Sequence, residues 1–107
     1  MKIFNYKLGK NRGHARVWIE GMRLAKFGFN RYDRINVQYD DKNSVIRITK
    51  DPESDHIVAG RSRNGKDLPI IDLNNQAVTK IMRLSSGQYS VNFMQNKLLI
   101  RPVLDNS

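Results

Sequence analysis

The strongest constraint in this chain is a match to itself. Laid over itself without a gap at a spacing of 54 residues (71 − 17), the sequence sets apolar on apolar: Val17 on Ile71, Ile19 on Leu73, Leu24 on Val78 and Phe27 on Ile81. The register continues through Ile35 on Tyr89, Val37 on Val91, Tyr39 on Phe93 and Val45-Ile46-Arg47 on Leu99-Ile100-Arg101, and Lys26 falls on Lys80. Equal turn lengths through the whole match point to an internal repeat. A unit of this size cannot cover both faces of a thin sheet. Two stacked units can, so the economical architecture is one intertwined pseudo-dimer within a single domain.

Each unit reads as strand, short helix, turn and hairpin. In the first, Arg16-Val17-Trp18-Ile19 is rich in β-formers. Gly21 to Phe27 follows with Leu24 and Phe27 on one helical face, and Gly28 ends it. Asn30-Arg31-Tyr32-Asp33 is turn-like, and Asp33 is read as ordering that turn. Ile35, Val37 and Tyr39 alternate, Asp40 to Asn43 turns, and Ser44 to Ile48 returns. In the second, Pro69 to Leu73 is the strand and Asn74 to Met82 the helix, with Asn74 or Asn75 as cap. Ser85-Ser86-Gly87 turns, Gln88 to Phe93 alternates, and Leu98 to Arg101 returns. The domain therefore divides into a basic arm (1–15), a first half (16–50), a linker with its own basic cluster (51–67) and a second half (68–103).

The order of elements resembles the swapped-hairpin barrel of the SpoVT/AbrB family. The likeness is carried by Arg16-Val17-Trp18-Ile19 as the strand, Leu24-Ala25-Lys26-Phe27-Gly28-Phe29 as the helix end and Asn30-Arg31-Tyr32-Asp33 as the turn. Tyr32 stands where the family favours Gly, and in the second half Gln88 replaces the turn Asp. The resemblance implies a mainly β fold with two short helices, a swapped-hairpin β-barrel formed by two internal repeats on one chain. It also implies a DNA-facing surface made by basic residues of the first loop and strand. Ile19-Glu20-Gly21 with Leu24 and Gly28-Phe29 looks like the SymE toxin branch, which is associated with RNA cleavage or nucleoid binding.

Charge agrees with a polyanionic partner. Nineteen Lys/Arg against ten Asp/Glu leave a net +9, a field that attracts nucleic acid. The first 54 residues carry +6 of it (12 − 6) and the remainder +3 (7 − 4). Lys7, Lys10, Arg12, His14 and Arg16 are expected to meet phosphates or base edges, with Gly9 and Gly13 permitting close approach. Arg61, Arg63 and Lys66 hold the matching place before the second half, and Arg23, Lys26 and Arg31 extend the surface. Trp18 is read as packing against the fold, with base stacking as the alternative.

The chain has no cysteine, which excludes disulfides, thiol catalysis and cysteine-ligated zinc. No apolar run approaches a membrane span, and the first residues lack a signal-peptide core, so a cytoplasmic, nucleoid-associated protein is expected. No cofactor, metal site or enzyme activity is expected. Glu20 with His14 and Arg16 is the one conceivable acid–base set for RNA cleavage, and a surface ion pair explains Glu20 more simply. The reading is a duplex-DNA-binding protein of the transcription-regulator or antitoxin-repressor kind. An RNA-cleaving toxin or nucleoid-associated protein is the first alternative, and a scaffold binding a protein partner or a second copy is the next.

Overall fold

The computed structural model describes residues 2–105. The chain runs β1 (Lys2–Lys7), β2 (Gly9–Asn11), β3 (His14–Glu20), α1 (Met22–Lys26), β4 (Arg34–Asp40) and β5 (Val45–Lys50). It continues β6 (His56–Ile57), β7 (Ala59–Arg63), β8 (Lys66–Asn74), α2 (Gln76–Ile81), β9 (Ser85–Met94) and β10 (Lys97–Leu104). The fold is mainly β with two short helices, as expected. The strands form two antiparallel sheets of order β1-β9-β10-β5-β4-β6 and β2-β3-β8-β7. The sheets do not close into a barrel among the described residues, which corrects that part of the expectation.

Alternation decides which residues face inward. Tyr89, Val91 and Phe93 of β9, Leu98 and Ile100 of β10, and Ile46 and Ile48 of β5 are buried along one face of the larger sheet. Val17 and Ile19 of β3 and Ile71 and Leu73 of β8 do the same for the smaller, and all share one core cluster. The helices close the layer: α1 contributes Leu24, while α2 contributes Val78 and Ile81. Asn75 caps α2 by accepting from the Val78 N–H at 2.9 Å. α1 has no side-chain cap and ends where Gly28 turns left-handed. Its position is therefore fixed by burial of Leu24 rather than by local propensity.

Two central pairings carry the internal relation. Trp18 lies opposite Asp72 in the smaller sheet, and Ile46 lies opposite Ile100 in the larger. Both pairs are 54 residues apart (72 − 18 and 100 − 46). Exchanging β3 with β8, β4 with β9 and β5 with β10 reverses the central part of each strand order onto itself.

The arm and the linker both hold strands. The basic arm is strand over Lys2–Lys7 and Gly9–Asn11, pairing with β9 and β3 respectively. Phe4 and Tyr6 point inward and pack on the core, which anchors the segment. The linker holds β6 and β7, and β7 pairs with β8 from Ala59↔Ile70 to Arg63↔Lys66. Backbone pairing and a tight turn, rather than apolar side chains, build that strand.

Candidate nucleic-acid interface

The four strands β2-β3-β8-β7 present one face away from the core. His14, Arg16, Trp18 and Glu20 of β3 alternate outward, as do Asp72 and Asn74 of β8. Each outer strand joins this pair through a two-residue turn. Arg12 and Gly13 link β2 to β3 with φ of 52° and 84°, and Asn64 and Gly65 link β7 to β8 with φ of 54° and 78°. Positive φ at both central positions marks the primed turn whose twist suits a hairpin.

The two turns sit at opposite ends of the sheet. Arg16 is opposite Asn74, so His14 stands two residues beyond the end of that pairing, whereas Lys66 lies eight residues back along β8. Ten residues of strand at ~3.3 Å each separate the turns by about 33 Å. Lys10 and Arg12 occupy the first end and Arg63 and Lys66 the second, all exposed. Lys7 ends β1 and Lys26 ends α1. None of these six cations has an ion-pair partner among the described residues, so their charge faces solvent.

The other expected cations are held by the protein itself. Arg16 donates from Nε and Nη2 to both carboxylate oxygens of Asp72, at 2.9 and 2.8 Å. These bonds lower the Asp72 pKa against the opposing effect of burial, and they raise that of Arg16. The same guanidinium lies 4.5 Å from the Trp18 ring centre. Arg61 approaches Glu20 at 2.5 Å, and the Trp18 indole N–H donates to the other Glu20 oxygen at 3.2 Å. Arg23 donates to the Tyr6 hydroxyl at 3.0 Å and lies 3.5 Å over the Phe4 ring. Arg31 pairs with Asp67 at 3.1 Å. The middle of the face is thus charge-compensated, and the free positive charge sits at its two ends.

Trp18 is 38% exposed on this outer face, not buried in the core. His14 and Glu20 lie at opposite ends of β3, six residues and so about 20 Å apart. They form no acid–base set. His14 Nδ1 instead lies 3.5 Å from the Thr79 hydroxyl. Asp33 does order its turn: its carboxylate accepts from the Asn30 N–H at 2.8 Å and pairs with Lys50 at 3.3 Å. Among the described residues no cluster of His, Cys, Asp or Glu could hold a metal ion, and no helix is long and apolar enough to cross a membrane.

Sequence reasoning missed a polar line across three strands, from Asn11 to Asn74 to Asp72 to Arg16, with donor–acceptor distances of 2.8 to 3.1 Å. It also missed Tyr89, whose buried hydroxyl meets the backbone of Trp18. Comparison with protein-family models, with curated proteins and with solved structures finds no match to this chain.

Proposed function

We propose that this protein binds duplex DNA with the outer face of β2-β3-β8-β7, and that its halves are tandem swapped-hairpin units of SpoVT/AbrB type. The observation that carries the proposal is the pair of unpaired cationic turns about 33 Å apart on one sheet. One turn of duplex spans about 34 Å. Arg12 at one end and Arg63 and Lys66 at the other therefore reach phosphates one helical turn apart on the same side of the helix, while Lys10, in register with Ala15, lies on the opposite side of β2. The palindromic strand order supports a pseudo-two-fold mode of binding with two unequal half-sites.

Between the turns, charge compensation of Arg16 and Arg61 keeps the sheet centre from adding non-specific attraction. Phosphate contacts at the ends then position the duplex, and the centre is free to read groove shape or base edges. An A-form RNA duplex, with its deep narrow major groove, suits this surface less well.

A fluorescence-anisotropy titration of a 20-base-pair duplex against salt tests the proposal. Three neutralised phosphates predict a log–log slope of about −2.7, and Arg12→Ala should reduce it by about 0.9. Arg63→Ala with Lys66→Ala should reduce it by about 1.8. A slope unchanged in both variants would show that the cations at the turns do not touch DNA.

A further inference from the structure

We infer that the second half carries a pocket for one unpaired nucleotide, its base inside and its phosphate on Lys10 and Arg83. The inference rests on the nucleic-acid reading above. An open cavity of about 330 Å³ lies between the β2–β3 hairpin and the end of α2, walled by Leu8, Ala15, Thr79 and Met82. Its lining is mainly apolar, with Lys10 and Arg83 at its margin.

Comparing the two halves explains why the space is there. At the 54-residue spacing, Arg83 stands where the first half has Phe29, which is fully buried. The Leu8 N–H donates to the Gly87 carbonyl at 2.9 Å, and the Val58 N–H donates to the Asp33 carbonyl at 2.8 Å. Gly87 and Asp33 are themselves 54 apart (87 − 33), so Leu8 is the counterpart of Val58. Val58 is 1% exposed, whereas Leu8 is only partly buried and lines the cavity. The first half thus fills this region with two apolar side chains, and the second leaves it open.

The chemistry of the opening selects its occupant. Lys10 has no ion-pair partner, and Arg83 pairs through Nη1 with Asp41 at 2.7 Å, a carboxylate that it shares with Lys80 at 3.9 Å, so three cations stand against one acid. A net positive charge beside an apolar slot suits a ligand with a flat apolar body and an attached anion. Gly9, Gly13 and Gly87 are among the lining residues, and nothing lies within 4 Å of where a side chain would begin on Gly13 or Gly87. A base extruded from its stack is held between apolar walls in this manner, and the cost of unstacking is least when it is already unpaired.

The test compares two fluorescent 20-base-pair duplexes, one uninterrupted and one with a single bulged 2-aminopurine, at the same low salt. The bulged duplex should bind about tenfold tighter, and the 2-aminopurine emission should change on binding. Ala15→Leu, which fills the slot, should abolish that advantage while leaving the uninterrupted duplex unaffected. Leu8→Phe fills it from the opposite wall and serves if Ala15→Leu melts early. Equal affinity for both duplexes would overturn the pocket and leave the duplex reading standing. Binding of neither would overturn both. A phenylalanine-bearing acidic peptide that binds wild type but not Ala15→Leu, with no preference for the bulge, would assign the pocket to a protein partner and overturn the inference.

Discussion

Tyr89→Phe isolates one hydroxyl and its two bonds. Tyr89 is 1% exposed, with its ring stacked on Tyr6 at 5.6 Å between centres. Its oxygen accepts from the Trp18 N–H at 3.1 Å and donates to the Trp18 carbonyl at 2.8 Å. β2 stops pairing with β3 at Gly9↔Arg16, so past that point no strand of the described residues lies on that side of β3. The tyrosine hydroxyl takes the place of the missing strand. Removing it leaves a backbone donor and an acceptor without partners, each costing about 1–3 kcal/mol when buried. Trp18 is partly exposed and water recovers some of this, so the expected loss is about 2 kcal/mol. For a domain of this size that lowers Tm by about 8–16 °C. Thermal unfolding followed by circular dichroism reads it directly.

A second observable addresses the same group. Burial first, with the neighbouring Tyr6 adding to it, pushes the Tyr89 pKa up to about 12, against the lowering effect of the Trp18 bond. A folded pKa above the unfolded value of about 10 stabilises the protein fully below pH 10, and that stabilisation is lost as pH rises toward 12. Ultraviolet titration should therefore show one tyrosine ionising late, together with unfolding, and Tyr89→Phe should remove that step. A Tm within 2 °C of wild type, with the late step retained, would refute the role assigned to this hydroxyl.

Two further substitutions probe packing and charge. Gly60→Ala would bring a Cβ to 2.8 Å from the Leu68 carbonyl oxygen and 2.7 Å from Cδ of Arg31, so β7 must shift; a loss of about 1–3 kcal/mol in urea unfolding is expected. Asp72→Asn removes the charge that holds Arg16, costing less than about 1 kcal/mol at pH 7 for so exposed a pair. Because the Asp72 pKa is lowered by Arg16, its contribution is present above the unfolded value near 3.9 and fades as pH falls. The Tm difference between variant and wild type should therefore shrink below pH 4. In a DNA titration the variant should bind more tightly, since one acid is gone and Arg16 is released.

Much of the fold was legible because the hairpins obey a period of two. The alternation of Ile35, Val37 and Tyr39, and the return strand that sets Ile48 opposite Val37 and Ile46 opposite Tyr39, needed no tertiary information, and Asn75 announced the start of α2. The same rule hid β7. Ala59-Gly60-Arg61-Ser62-Arg63 has no apolar alternation, and only its Asn64-Gly65 turn marks it as half of a hairpin. The arm carries a weaker signal, because its inward residues, Phe4 and Tyr6, are few and are separated by a polar one. The pairing of three of the expected cations has a single cause. Arg16, Arg23 and Arg31 find their partners 56, 17 and 36 residues away, distances over which composition says nothing. The cations that remained free are largely those in or beside the two hairpin turns, at the ends of the sheet.

The two central pairings have a consequence for how such a chain can change. Were the halves separate copies of one short chain, position 18 would have to face its own duplicate, tryptophan against tryptophan, and every substitution there would count twice. On one continuous chain the two positions are independent, and Trp18 can face Asp72. That freedom lets a carboxylate sit beside Arg16 and lets one half keep Phe29 while the other puts Arg83 in its place. Joining the halves converts a symmetric surface into two that can drift apart.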